Sequence, residues 1–230
     1  MTHIHSEQTV ADLAPGDHLC CLYETEEEHR ALVTAFLRRG LQQREKVLYV
    51  ADARAPVTIL DYLRNGGVEP KPYLESGQLA ILTVDDSYMR GGVFDPDSMI
   101  ALLQAQTERA LTQGYTALRV TGEMTWAQRG LPGAERLIEY ESKLNEFIPR
   151  SKCLGMCQYD RRRFPPAVLL NVLGTHPIVV MGTRVYQNSY YVPPGASVRS
   201  EEQEILLRHW LEDLVAWNEA GEVQGRAKKE

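Results

Sequence analysis

Several absences in the 230-residue sequence limit what it can be. No stretch approaches the roughly 18 apolar residues of a membrane span. The start, MTHIHSEQTVADL, has neither the basic end nor the apolar run of a secretory signal. A cytoplasmic protein with no membrane partner is the expectation. Positive charge is not in excess either: a net charge of −6 and a pI near 5.6 argue against direct binding to nucleic acid, which needs a basic face that releases counterions. Cysteine is scarce. Cys20, Cys21, Cys153 and Cys157 are too few to staple a chain of this length, two of them are adjacent, and no CxxC pair exists, so reduced thiols are expected.

A further absence lies in GDHLCCLYETEEEHR, residues 16–30. A glycine turn, an apolar run and a helix start have the layout of a phosphate-binding loop. That loop needs several glycines, a lysine for the β- and γ-phosphates and a Ser or Thr for magnesium. Between Gly16 and His29 there is no further glycine and no lysine. Thr25 and Glu28 instead have the spacing of a capping box, with Glu26 and Glu27 in the first turn. These carboxylates neutralise the positive helix end and would repel a triphosphate, so ATP hydrolysis is not expected.

What is present is a regular alternation. The apolar, β-branched runs HLCCLY, KVLYVAD, LAILTV, ALRVTGEM and CLGMCQYD take turns with segments of helical period. A mainly parallel sheet covered on both faces follows. In the first helix Leu32, Val33, Phe36, Leu37 and Leu41 form one stripe, and Gly40 and Gly114 look like helix stops. After THPIVVMG, the run GTRVYQNSYYVPP reads as a closing antiparallel strand pair turning near Met181 to Arg184. From Ser200 a helix is expected, with Trp210 and Trp217 on one side.

The stretches GDHLCCLYE, KVLYVAD, RVTGEMTW, CQYDRRRFPP, LLNVLGTHP and NSYYVPP, in this order, resemble the MEDS family. This is the sensory domain of DcmR-type regulators and some histidine kinases, itself similar to RecA and KaiC ATPase domains that lost the phosphate loop. The resemblance spans residues 16–194. It implies a RecA/KaiC-like α/β fold and a non-catalytic sensor of small hydrocarbon derivatives such as alcohols or halomethanes. It also implies a partner kinase or transcription regulator, here expected on a separate chain. The expected organisation is a tail over 1–15, a sensory domain over 16–199, a helix over 200–220 that could support a homo-oligomer, and a flexible tail over 221–230.

Ligands of open parallel sheets sit outside the carboxyl ends of the strands. Tyr23, Glu24, Asp52, Glu123, Trp126, Tyr159 and Arg161 fall there in the pattern. Glu123 could accept from an alcohol or pair with Arg161, and Trp126 could wall a pocket or cover the core edge. His18 and Cys21 join the ligand set from the first strand. No cofactor is expected. The alternatives are a scaffold built on the helix after Ser200, or a metal or redox sensor using His18 and cysteines. For the last, strand alternation puts His18 and Cys20 on one face and Cys21 on the other, and leaves Cys153 and Cys157 about 13 Å apart, too far to share one zinc. His176, after a helix that begins near FPP, reads as a cap for that helix's last carbonyls.

Overall fold

Each apolar run of the sequence becomes a strand, and the helical segments between them cross over the sheet. The computed structural model describes residues 9–182 and 184–193. In chain order the elements are β1 (His18–Tyr23), α1 (Glu26–Gln42), β2 (Lys46–Ala51), α2 (Pro56–Asn65), α3 (Lys71–Glu75), β3 (Leu79–Thr83), α4 (Pro96–Thr112), β4 (Leu118–Glu123), α5 (Leu137–Phe147), β5 (Cys153–Asp160), α6 (Pro166–Thr175), β6 (Ile178–Met181) and β7 (Arg184–Gln187). The strands form one sheet in the order β3-β2-β4-β5-β1-β6-β7. All neighbours are parallel except β6 and β7, the antiparallel pair expected from the sequence. The short helix α3 is not anticipated by the pattern.

Strands β1, β2, β4 and β5 are buried along their whole length, as a sheet with helices on both faces requires. Successive side chains point to opposite faces, so the sheet separates two cores. On one face Leu19, Cys21, Tyr23, Val47, Tyr49, Leu154 and Met156 pack with α1 and α2. On the other, Cys20, Leu22, Leu48, Val120, Cys153, Cys157 and Tyr159 pack with α4, α5 and α6.

Thr25 caps α1 by accepting from the Glu28 amide at 3.1 Å, while the Glu28 carboxylate accepts from the amides of Glu24 and Thr25 at 2.8 and 3.3 Å. The predicted stripe of α1 is buried throughout. Gly114 closes α4 at φ +83, where only glycine sits without strain. Gly40 has a different job from the expected stop, because α1 continues through it to Gln42. A Cβ there would stand 2.6 Å from Cδ of Arg119 and 2.8 Å from Val47 Cγ2. Glycine thus lets the fully buried Arg119 pass under the helix to its ion pair with Glu45.

The expected tail packs before residue 16. Thr9 bridges to Arg184, and Val10 and Leu13 are buried in the α1 face. The helix over 200–220, the tail over 221–230 and the oligomer contact expected of them lie outside the described residues.

Helix propensity alone would favour Gly40→Ala by about 0.8–1 kcal/mol. The crowding around Arg119 reverses that sign. The variant should lose about 1–3 kcal/mol in urea denaturation, and a gain would show that the Arg119–Glu45 pair moves aside freely.

Candidate functional site

Two carboxylates, one on each face of the sheet, organise the polar groups of this domain. On the α1 face Glu123 ends β4 with no solvent exposure. Its Oε2 accepts from the backbone amides of Asp52 at 3.2 Å, Ala53, and Arg54 at 3.1 Å, all in the turn after β2. Its Oε1 accepts from the Tyr49 hydroxyl at 2.6 Å and lies 3.6 Å from the Arg54 guanidinium. The carboxylate therefore fills an anion nest made by three successive amides. Glu123 pairs with Arg54, and not with Arg161 as one sequence reading offered.

Arg54 links the strand ends. It forms a two-pronged pair with Glu26 of α1 at 2.8 and 3.1 Å, donates to the Tyr23 hydroxyl at 3.2 Å and lies over the Tyr23 ring at 5.3 Å. The N-terminus of α1, which in a phosphate loop would hold an anion, is closed by its own capping box and by Glu26 held on Arg54. Arg162 extends the network to Asp160 at 2.7 Å, and Arg161 pairs with Glu24 at 2.9 Å in solvent. Beneath it Gln158 Oε1 lies 3.2 Å from the Tyr49 hydroxyl and 2.7 Å from His29 Nε2, and its amide donates to Thr121 at 2.7 Å. Burial, followed by the charge of Arg54, pushes the His29 pKa down to about 4.

Beside this network a cleft of about 670 Å³ opens at the carboxyl ends of β2 and β4, lined by Asp52, Ala53, Thr125, Gln128, Arg129 and Arg163. Asp52 accepts from the Thr125 hydroxyl at 2.6 Å and from Arg129 at 2.8 Å. Of the nine residues expected from sequence, Asp52 is the one in this lining. Glu123, Tyr23 and Glu24 belong to the neighbouring ion-pair network or its edge. Trp126 is buried in the α4–α5 core, stacked on Tyr88 at 4.8 Å and against Phe94 at 4.6 Å. Cys21 is buried under α1.

Arg161 stays at the solvent edge on Glu24, and the last two, His18 and Tyr159, meet on the opposite face around Glu141 of α5, which is also fully buried. Glu141 Oε1 accepts from the Tyr159 hydroxyl. Its Oε2 lies 3.3 Å from His18 Nε2, 3.2 Å from His176 Nε2 and 3.4 Å from Cys157 Sγ. His18, Glu141, Cys157 and His176 thus bring four ligand atoms within 4.8 Å of one another, and among the described residues they are the group able to hold a metal. Register explains the meeting of His18 and Cys157: β1 lies beside β5, with His18 opposite Gly155 and Cys20 opposite Cys157. Burial pushes the Glu141 carboxyl up, but the facing imidazoles of His176 and His18, when protonated, outweigh it and hold the carboxylate well below its usual range. Burial, helped by Glu141, pushes the Cys157 thiol up. Sequence reasoning missed Glu141 and read His176 only as a cap. His176 does meet the Val172 carbonyl, through Nδ1 at 2.8 Å, which leaves Nε2 for the cluster. A signal for Glu141 was there: it shares the buried stripe of Leu137, Leu144 and Ile148, where a carboxylate needs partners.

An open, mainly parallel sheet with crossover helices on both faces and polar groups crowding its strand ends defines a RecA/KaiC-like α/β domain. A KaiC-like protein of the hyperthermophilic archaeon Pyrococcus horikoshii OT3 matches with a TM-score of 0.52 at 12% identity, over 73% of this chain and 71% of that one. The flagellar accessory protein FlaH of Methanocaldococcus jannaschii matches with 0.52 at 14% identity, over 74% and 72%. At such identity the likeness concerns the fold alone. The MEDS model, the MEthanogen/methylotroph, DcmR Sensory domain, matches residues 17–177, and the chain belongs to this family. The transcriptional repressor DcmR of Methylorubrum extorquens is 26% identical over 166 residues, 72% of this chain. The chain spans about 60% of the length of that relative.

His29 gives the α1-face network a pH signature. Its folded value, about 4, lies below the unfolded one of about 6.5, so the unfolded chain takes up the proton first as pH falls. Stability present above pH ~6.5 is lost progressively towards pH ~4. Urea denaturation across this window should show the decline, and His29→Gln should flatten it by up to about 3 kcal/mol. An equally steep decline in the variant would assign the acid sensitivity elsewhere.

Proposed function

We propose that this domain is a non-catalytic small-molecule sensor acting in signal transduction or transcription regulation, with its ligand in the cleft over the carboxyl ends of β2 and β4. The observation that carries this reading is the closure of the α1 N-terminus by Thr25, Glu28 and the Glu26–Arg54 pair. A RecA-like frame remains, but the helix end that would cradle phosphates is filled by the protein's own carboxylates. Membership of a sensory family and the likeness to a transcriptional repressor support the regulatory half of the reading. Its partner is then a signalling protein, a kinase or a transcription regulator.

The lining favours a hydroxylated ligand over a halomethane. Asp52, Thr125, Gln128 and Arg129 offer a carboxylate, a hydroxyl, an amide and a guanidinium, and a halomethane uses none of them well. An alcohol can accept from Arg129 and donate to Asp52. Glu123 and Trp126 act beneath the cleft, fixing the turn after β2 and the start of the Thr125–Gln128 turn.

Size sets the affinity to look for. At a ceiling of about 1.5 kcal/mol per non-hydrogen atom, a ligand of two or three such atoms binds no more tightly than about 0.5 mM. Titration of the isotope-labelled protein with methanol, ethanol and dichloromethane, up to about 50 mM, should shift the amides of Asp52, Thr125 and Arg129 with the alcohols first. Asp52→Asn should weaken that response about tenfold. Shifts absent with every compound, or equal in the variant, would remove the cleft as the sensing site.

A further inference from the structure

We propose that His18, Glu141, Cys157 and His176 form a closed binding site for one divalent transition-metal ion of the zinc type. It lies between the sheet and the α5 and α6 helices and stands apart from the sensing cleft, so the failure of one reading leaves the other intact.

The orientation of the two imidazoles is fixed from outside the cluster. Asn145 Nδ2 donates to the carbonyls of Glu141, at 3.2 Å, and Thr175, so its Oδ1 faces His18 Nδ1 at 2.8 Å and accepts from it. His176 Nδ1 donates to the Val172 carbonyl. With each Nδ1 bearing its proton, each neutral ring turns the lone pair of Nε2 inward. This is the outer-shell pattern that holds metal-ligating histidines in place.

Two lone pairs and a carboxylate oxygen then converge at 3.2–3.3 Å with no donor between the rings and the carboxylate, and the Cys157 thiol, 3.4 Å from Oε2, brings a single proton to three acceptors in a site whose histidines and carboxylate have no exposure to water. Such an arrangement repels itself unless a cation sits at its centre. A single proton can bridge Glu141 to one ring only. His176 Nε2 is within ion-pairing distance of Glu141 but off the line of a hydrogen bond, and it remains without a hydrogen-bonding partner. One metal ion answers all four groups at once.

The spacing fits. With zinc bonds of about 2.0–2.3 Å, the edges of a tetrahedron measure about 3.3–3.6 Å. Four of the six edges here are 3.2, 3.3, 3.4 and 3.7 Å, and none exceeds 4.8 Å. The charge fits as well. Binding displaces the Cys157 proton, and a divalent ion with one carboxylate, one thiolate and two neutral imidazoles is neutral overall, which a buried site can hold. Thiolate and imidazole together select a zinc-type ion over magnesium or calcium. With four protein ligands no position stays open, so the ion clamps α5 and the α6–β6 junction to β1 and β5 rather than activating water.

The test uses the full chain, kept reduced, loaded with Zn²⁺ and then with Co²⁺. Native mass spectrometry and elemental analysis should find one ion per chain. The cobalt form should show tetrahedral visible bands and a thiolate-to-cobalt charge-transfer band in the near ultraviolet. Cys157→Ser should lose the charge-transfer band, and His176→Gln should weaken binding at least about tenfold. Because a variant can fail to fold, the zinc-loaded wild type is also read by nitrogen NMR of its imidazoles, where Nε2 of His18 and His176 should report metal bonds. The absence of a stoichiometric ion, a cobalt spectrum without thiolate, or a proton on either Nε2 in the zinc-loaded protein would each overturn the site.

Discussion

A carboxylate held away from water must be met by donors or cations, and this domain is arranged around meeting that demand twice. Removing water from such a group costs several kcal/mol, which no apolar contact returns. Glu123 is answered on the α1 face by three successive amides, a tyrosine hydroxyl and Arg54. Glu141 is answered on the other face by the Tyr159 hydroxyl and the Cys157 thiol, with the imidazoles of His18 and His176 at 3.3 and 3.2 Å. The first draws its partners from β2 and the turn after it and reaches α1 through the Arg54–Glu26 pair, and the second draws on β1, β5 and the α6–β6 junction. The two clusters therefore tie the layers together at defined points, where apolar packing alone would tolerate sliding.

The two faces are chemically unequal. The Glu123 network reaches the surface through Arg54, Glu26 and Arg162, and it borders the polar cleft. The Glu141 cluster is sealed under α5 and α6. One face is open to solutes from solvent. The other responds to whatever holds the helices in place. A sensor needs both properties, an accessible surface and a packing arrangement that changes its energy when that surface is occupied.

Much of the fold was legible because its signals are local. Strand and helix runs, the Thr25–Glu28 box, the α1 stripe and the closing hairpin all depend on residues within a few positions of one another. The face on which each strand residue points was equally legible from a period of two, and it separated His18 from Cys21 correctly. What the pattern hides is which strands are neighbours. His18 and Cys157 are far apart in sequence, and only the pairing of β1 with β5 brings them together. Glu141 was overlooked because an amphipathic pattern tolerates one acid, though this acid sits on the wrong side of its helix. Gly40 was misread for a related reason, since nothing local announces that an arginine from β4 must pass beneath it.

The place of β1 in the sheet bears on how the chain is made. This first strand, buried at every position, lies between β5 and β6, so both of its neighbours leave the ribosome long after it, behind β2, β3 and β4. Until β5 has emerged, HLCCLY has no edge on either side to pair with, and its second edge stays open until β6 follows. Closing that gap requires contacts of large sequence separation, which slow folding and leave an apolar strand open to strangers. Nascent chains of this domain should therefore depend on chaperone protection until synthesis has passed β6, and truncations that end before β6 should aggregate rather than fold in part.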